Sequence, residues 1–359
     1  MLPVNILLAR QHRRQRLRNF NIERIYLRNT YDPFNLDNLE FQRRFRTKDI
    51  CSQFIDDLMP HMSNSPKINI IDPRTRILVA LSFYATGSYQ RLIGESHNIS
   101  ISQQSVSNCI RDISSLITEH LADRYVKFPT TNEERNVIKL AFHQKYNFPG
   151  VIGAVDCTHI RILHPVEEEH NFVNRKGYHS MNVQVICDSN LRILAVNPKH
   201  AGSTHDAYIW RTSAIREEVE IQYRLGNRSC WLLGDSGYPL QPWLMTPIVN
   251  ALPNTPEGRY TQAHCSARNC TERCFGVLKQ RFRCLSGDRT LRYKPEVVGQ
   301  IISSCATLHN ICILHNLNVD LIDEVNDQLQ VVRPPDVVPN DLHQEGDRVR
   351  ERIIRRYFH

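Results

Sequence analysis

The chain has 359 residues, 41% hydrophobic and 23% charged, with 45 Lys/Arg against 37 Asp/Glu and a net charge of +8. That length allows two modest domains or one large one, and the composition excludes a disordered or collagen-like chain. No apolar run approaches the roughly 18 residues expected of a membrane span, and the eleven cysteines include no CxxC pair, so they read as reduced thiols packed as small hydrophobes.

Residues 1–48 read as a basic N-terminal arm with short helical pieces. Arg10, Arg13, Arg14, Arg16 and Arg18 follow a short apolar patch, the reverse of a signal peptide's order. The segment also lacks the serines of a mitochondrial presequence, which leaves a nuclear-import patch or a DNA-contacting arm. A basic body with a basic arm suits a polyanion such as nucleic acid.

Residues 49–145 read as helices throughout. Pro73 opens one, with Ile77, Leu78, Leu81 and Tyr84 at helical spacing, and Gly87-Ser88 ends it. A short helix follows over 89–97, then a turn at Asn98-Ile99-Ser100, then a third helix capped by Ser102. In that third helix Val106, Cys109, Ile110 and Ile113 face inward, while Gln103, Gln104, Ser107, Asn108 and Arg111 face out. Helix, tight turn and a helix offering Gln, Asn and Arg make a helix-turn-helix layout for DNA, with Gln103, Gln104, Asn108 and Arg111 as the contact candidates. Three-helix bundles that bind nothing share the pattern.

From about residue 146 the texture changes to strands, predicted over 151–163, 181–188, 192–197 and 230–234, the second and third forming a hairpin through Ser189-Asn190. Helices are predicted over 205–219, from a Thr261 cap to about 285, and over 296–314 with Ile301, Ile302, Cys305, Leu308 and Ile311 inward. Residues 316–345 hold acids and prolines and read as a linker before a short basic helix over 348–357. The order β-β-β-α-β-α describes an α/β, RNase H-like mixed sheet with flanking helices. The expected domains are therefore 1–48, an all-α helix-turn-helix domain over 49–145, the RNase H-like domain over 146–316, and a tail over 317–359.

Three carboxylates interrupt this pattern. Asp156 breaks the apolar run Val151-Ile152-Gly153-Ala154-Val155, Asp235 ends Trp231-Leu232-Leu233-Gly234, and Glu272 lies in an amphipathic helix. An unpaired carboxylate in such a setting is costly to desolvate and needs a partner. With the first strand central and the fourth beside it, Asp156 and Asp235 face each other while a helix delivers Glu272. Three oxygen donors suit Mg²⁺ or Mn²⁺, and such sites cut phosphodiesters without a side-chain nucleophile. The plainer reading is that each acid is exposed or pairs with an Arg. Arg268 or Arg273 could serve Glu272, whereas Asp156 has no obvious neighbour in sequence.

Two other patterns lead nowhere. His264-Cys265, Cys270, Cys274 and Cys284 lack zinc spacing, and Cys270 and Cys274 are simply one helical turn apart. Gly234-Asp235-Ser236-Gly237 with Ala263-His264-Cys265 has the wrong order and surroundings for a chymotrypsin-like protease.

Six blocks in order resemble the DDE nuclease domain of PIF/Harbinger transposases, including the transposase-derived nucleases of animals. They are Gly153-Ala154-Val155-Asp156-Cys157-Thr158-His159-Ile160, Asn174-Arg175-Lys176-Gly177-Tyr178-His179-Ser180, Gly202-Ser203-Thr204-His205-Asp206, Gly234-Asp235-Ser236-Gly237-Tyr238, the run from Glu272 to Phe282, and Leu308-His309-Asn310-Ile311. The helical segments 81–90 and 101–107 resemble the family too. The resemblance implies that Asp156, Asp235 and Glu272 are catalytic metal ligands, with Asp206 a fourth acidic ligand of the same metal site, for Mg²⁺ or Mn²⁺. It implies DNA as substrate, a separate Myb-like DNA-binding partner that aids nuclear entry, and a place in nucleus and cytoplasm. No membrane is expected, and a homo-oligomer is compatible with the sequence. Cys157 stands where the family usually has Gly, and Thr271 where it usually has an apolar residue; neither removes a ligand.

Arg175 and Lys176, with Tyr178 and His179 around a glycine turn, read as a phosphate-contacting loop at the site's edge. Lys279 and Arg281 follow Glu272 and read as DNA-backbone contacts or an exposed helix face. His159 and His205 flank the acids without an assigned catalytic role. The leading expectation is a metal-dependent DNA endonuclease. The alternatives are a catalytically silent DNA-binding or scaffold protein, and an RNA-cutting enzyme of the same sheet type.

Overall fold

The computed structural model describes residues 4–62, 71–317 and 340–359. They form two compact units, Met1–His120 and Leu121–His359.

The first unit is all helical. Helix α1 runs unbroken over Val4–Thr30, not in short pieces, because no glycine or proline interrupts it before Pro33. Helices α2 (Asn38–Phe45) and α3 (Lys48–Leu58) follow. Helix α4 (Pro73–Thr86) starts and stops as its sequence dictates: the Asp72 carboxylate accepts from the Thr75 N–H, and Gly87 closes it in the left-handed region at φ 60°. Residues from Ile77 to Ala85 are buried, so α4 is the core of this unit.

Helix α5 (Gln90–Glu95) is shorter than the predicted 89–97 and is followed by α6 (Gln103–His120). A Cβ at Gly94 would lie 2.5 Å from the Ile101 carbonyl oxygen, so the glycine lets α5 close against the turn. The Ser102 hydroxyl accepts from the Ser105 N–H at 3.1 Å and starts α6. Val106, Cys109, Ile110 and Ile113 are buried, while Gln103, Gln104, Asn108 and Arg111 are exposed.

The second unit opens with α7 (Ala122–Tyr125) and α8 (Asn132–Tyr146), the latter started by a capping box between Thr131 and Glu134. Five strands follow: β1 (Val151–Arg161), β2 (Ser180–Cys187), β3 (Ile193–Ala201), β4 (Trp231–Leu233) and β5 (Leu244–Met245). They form one mixed sheet in the order β3-β2-β1-β4-β5. β1 to β3 are antiparallel neighbours, and β4 and β5 run parallel to β1. β5 escapes sequence reading because two residues carry no period.

The predicted helix over 205–219 is two helices, α9 (Asp206–Arg211) and α10 (Ala214–Arg224), because the Ser213 hydroxyl caps the Arg216 N–H and restarts the chain. Helix α11 (Pro256–Arg281) begins at a Thr255 cap followed by Pro256. Thr261, expected as that cap, instead accepts from the Ile248 N–H. Helix α12 (Pro295–Leu314) is long and apolar enough to cross a bilayer by composition, which sequence reading did not register, but most of it is buried inside the unit. Asn310 explains part of its seating: its Oδ1 accepts from the Ile193 N–H, and its amide donates to the Ile193 and Tyr125 carbonyls. Helix α13 (Asn340–Tyr357) starts inside the segment expected as linker; residues 318–339 of that segment lie outside the described residues.

Along β1 alternate residues face opposite layers. Val155 joins the cluster of Ile186, Trp210, Leu232 and Trp243 on one side. Asp156 and Thr158 reach α11 on the other, through Arg268 and Lys279.

Candidate active site

Strand β1 brings Asp156 to the sheet centre, opposite Val185 of β2. Its two oxygens are both engaged. Oδ1 accepts from the Cys157 N–H at 2.8 Å, and Oδ2 accepts from Nη1 of Arg268 at 2.9 Å. Arg268 lies one turn before Glu272 on α11, and its other terminal nitrogen donates to Glu272 Oε1 at 2.9 Å. One guanidinium thus joins two carboxylates that are far apart in the chain. Thr271 is buried, and its hydroxyl donates to the Arg268 carbonyl at 2.9 Å with Asp156 Oδ2 at 3.4 Å.

Asp235 follows β4, the parallel neighbour of β1, and its Oδ1 accepts from the Gly237 N–H at 2.8 Å. Asp206 opens α9, with Oδ1 held at 2.7 Å by the amide of Asn182 on β2. Burial pushes the Asp156 carboxyl up to about 7; Arg268 and the Cys157 N–H oppose the rise, while the charges of Asp235 and Asp206 add to it. Burial likewise raises Asp235. Burial favours loss of the Arg268 proton, but Asp156 and Glu272 outweigh it and the guanidinium is raised above its ordinary value.

The donor set is oxygen-only, partly buried and carries more negative charge than Arg268 offsets, which are the conditions under which a hard divalent ion is favoured. Among the described residues, however, no three acidic, histidine or cysteine side chains form a ready-made metal-ligating group. Asp156 and Glu272 meet at Arg268, and Asp235 and Asp206 act on Asp156 through their charge. The residues fit a divalent ion in kind, provided that Arg268 gives up Asp156 Oδ2.

Around the acids the sequence-predicted basic residues separate. Arg175 and Lys176 are exposed on the turn between β1 and β2. That turn is built by Asn174, whose Oδ1 accepts from the Lys176 N–H at 2.9 Å and whose amide donates to Ser180 Oγ at 2.9 Å, with Gly177 at φ 76°. Arg175 hydrogen-bonds His205 Nδ1 at 2.6 Å, which ties the turn to the residue before Asp206. Lys279 donates to Thr158 Oγ1 at 2.7 Å, and burial, then the charge of Lys176, lowers its pKa to about 8. Arg281 does not face outward: it is buried, and it donates to the carbonyls of His309 and Leu317. His159 hydrogen-bonds Ser180 Oγ at 3.0 Å. Gln103, Gln104, Asn108 and Arg111 belong to the first unit.

Sequence reasoning reached Arg268 only as a partner for Glu272; its hold on Asp156 depends on how α11 crosses the sheet. It missed Tyr238, whose hydroxyl lies 3.4 Å from the Cys157 thiol, and Asn182. Among the described residues the cysteines form no disulfide, with Cys187 Sγ and Cys270 Sγ 3.8 Å apart.

Comparison with known proteins places these residues in one region. The model of the DDE superfamily endonuclease family matches residues 155–310, a span that holds Asp156, Asp206, Asp235 and Glu272. HARBI1 of Bos taurus, by name a candidate nuclease, is 34% identical over 339 residues, covering 92% of this chain and 94% of the relative. HARBI1 of Homo sapiens is 33% identical over 336 residues, with the same coverage of 92% and 94%. An Arabidopsis thaliana protein named antagonist of like heterochromatin protein 1 is 27% identical over 282 residues, 74% of this chain and 69% of the relative. No solved structure matches the chain.

Proposed function

The chain belongs to the Harbinger transposase-derived nuclease family of DDE superfamily endonucleases, and from that premise we propose that it is a divalent-metal-dependent DNA endonuclease acting through Asp156, Asp235 and Glu272, with Asp206 as a further ligand. The sheet order β3-β2-β1-β4-β5, with β1 to β3 antiparallel and β4 parallel to β1, supports an RNase H-like reading of the domain. The observation that carries the proposal is the convergence of Asp156 and Glu272 on one guanidinium, with Asp235 and Asp206 near enough to act on the Asp156 charge.

Mg²⁺ or Mn²⁺ held by Asp156, Asp206, Asp235 and Glu272 would polarise the scissile phosphate and offset charge on the attacking and leaving oxygens. The chain's own contribution is to hold the carboxylates. The Cys157 N–H fixes Asp156, the Gly237 N–H fixes Asp235, and Asn182 fixes Asp206, each through one oxygen, and the second oxygen of Asp156 would reach a cation once Arg268 gives it up. Arg175 and Lys176 at the rim would meet the DNA backbone. The exposed Gln103, Gln104, Asn108 and Arg111 of α6 would contact duplex DNA in the helix-turn-helix manner. A Myb-like partner and a distribution between nucleus and cytoplasm belong to the same proposal, on the family resemblance alone.

The test is cleavage of plasmid and linear duplex DNA with Mg²⁺ or Mn²⁺ by the wild type and Asp156→Asn. The variant is expected to lose cutting; equal activity in both would sink the proposal. A second reading, a DNA-binding protein that no longer cuts, draws on Arg268 already pairing with two of the acids and on the plant relative's name, which describes antagonism of a heterochromatin protein. A site that ignores Mn²⁺ in titration would favour it.

A further inference from the structure

Asp156 has no spare oxygen. Oδ1 is taken by the Cys157 N–H at 2.8 Å, and Oδ2 by Arg268 at 2.9 Å. The backbone donor is fixed by the strand, so a cation that needs Asp156 has to compete for Oδ2. Arg268 simultaneously holds Glu272 Oε1 at 2.9 Å, so the same competitor stands on a second ligand.

Geometry shows that this is a seated contact and not a passing surface pair. The side chains of Arg268 and Asp156 are only 17% and 15% exposed, whereas that of Glu272 is 41% exposed. The planar guanidinium presents separate N–H groups to two carboxylates at once, which a lysine ammonium on a flexible stem does poorly. Arg268 is on the same helical face as Glu272, one turn away, so α11 carries both a ligand and its competitor. Thr271 lies between them and accompanies Arg268 at Asp156, with its hydroxyl 3.4 Å from Oδ2 and 2.9 Å from the Arg268 carbonyl. Two of the four acids are thus organised around a side-chain cation.

We propose that Arg268 is a built-in counter-cation that holds Asp156 and Glu272 together in the metal-free protein and sets metal affinity by competing for the oxygens a divalent ion must take. The inference rests on the nuclease reading of the acids. Arg268 is a positioning residue in it: it pre-aligns the two carboxylates and withdraws from Asp156 when the ion enters. A divalent ion has to displace it, so observed binding is weaker by the strength of the ion pair that the metal breaks.

The experiment is a Mn²⁺ titration of the full chain, followed by electron paramagnetic resonance of free Mn²⁺, with thermal melts to confirm folding. Arg268→Gln is expected to bind Mn²⁺ at least about tenfold more tightly than the wild type, since a partly buried charge pair of ordinary strength has been removed. Arg268→Lys keeps the charge but not the fork and should fall between the two. Arg273→Gln, on the same helix but directed to the Tyr146 hydroxyl, should change affinity by less than about twofold, which separates competition from a general loss of positive charge. A residue that merely supported the fold would weaken binding or leave it alone when replaced. If wild type binds Mn²⁺ and Arg268→Gln binds equally or more weakly, the competition is overturned while the nuclease reading stands. If no variant binds at all, both fall together. Should Arg268→Gln fail to fold, Arg268→Lys decides, and affinity equal to wild type overturns the proposal.

Discussion

The thiol of Cys157 lies 3.4 Å from the hydroxyl of Tyr238, so β1 is tied to the segment after β4 at the very residue whose N–H holds Asp156. Burial, and after it the charge of Asp206, pushes the thiol well above its ordinary range, so it stays protonated at neutral pH. Cys157→Gly should therefore keep the backbone hydrogen bond to Asp156 and lose the tie to Tyr238. Glycine within a strand and one broken hydrogen bond predict destabilisation of about 1–2 kcal/mol. Thermal melts are expected to show a drop of about 2–8 °C, with Cys157→Ser closer to wild type. A variant as stable as wild type would mean that the tie contributes nothing.

Arg281 separates a structural cation from a DNA-facing one. Arg281 is buried and donates to the His309 and Leu317 carbonyls, so Arg281→Met removes both charge-assisted hydrogen bonds from a largely buried site. The expected cost is about 2–4 kcal/mol in urea unfolding, with DNA affinity of the folded protein unchanged. Replacing exposed Arg175 and Lys176 by Ala should do the reverse: little loss of stability, weaker DNA binding, and a salt dependence shallower by about two phosphate contacts. Loss of DNA affinity in a fully folded Arg281→Met would contradict the placement.

These residues also show where sequence reading stops. Asp156 and Asp235 were visible because each stands in or ends an apolar run, and a charge there demands an explanation. The first four strands and the α6 and α12 faces were legible from periodicity alone. Arg281 was misplaced because its position about three turns along from Thr271 gives no sign of which face of α11 meets α12. The start of α11 was missed for a different reason: Thr261 accepts from the Ile248 N–H, while Thr255, six residues earlier, accepts from the Gly258 N–H and caps the helix. The role of Arg268 at Asp156 is a property of the crossing between helix and sheet, which no local pattern encodes.

His264 gives the pH dependence. It is fully buried, and its Nε2–H donates to the Met245 carbonyl at 3.0 Å. Burial lowers its pKa to about 3, against an ordinary value of 6.5. Between those values the unfolded chain binds a proton that the native state refuses, so stability rises with pH across this window and is lost as pH falls through it. From about pH 7 to about pH 5 the histidine should account for about 2 kcal/mol. Asp156 and Asp235, both raised, act in the opposite sense, so the comparison has to be made between variants. His264→Gln can still donate to Met245 and should lose less stability than wild type over this interval, as read from urea midpoints at both pH values. Parallel losses would show that His264 does not titrate between the two states.

The exposed face of α6 tests whether the helical unit reads duplex DNA. Asn108 Oδ1 accepts from Arg111 at 2.7 Å and from Gln104 at 3.2 Å, so three outward side chains are linked on one face. A guanidinium bound for phosphate and an amide bound for a base edge fail differently when removed. Arg111→Ala should weaken binding to all duplexes alike, by about threefold to thirtyfold, and reduce the salt slope by about one. Gln104→Ala should leave the salt slope unchanged and relax preference among sequences, because amide contacts to base edges carry the information that phosphate contacts lack. Fluorescence anisotropy on duplex DNA between roughly 50 and 200 mM salt, the range over which counterion release is measurable, reads both effects. An RNA duplex serves as the control, since its narrow major groove should not admit α6. Equal binding of both duplexes, untouched by either substitution, would leave α6 an ordinary bundle helix with a polar face.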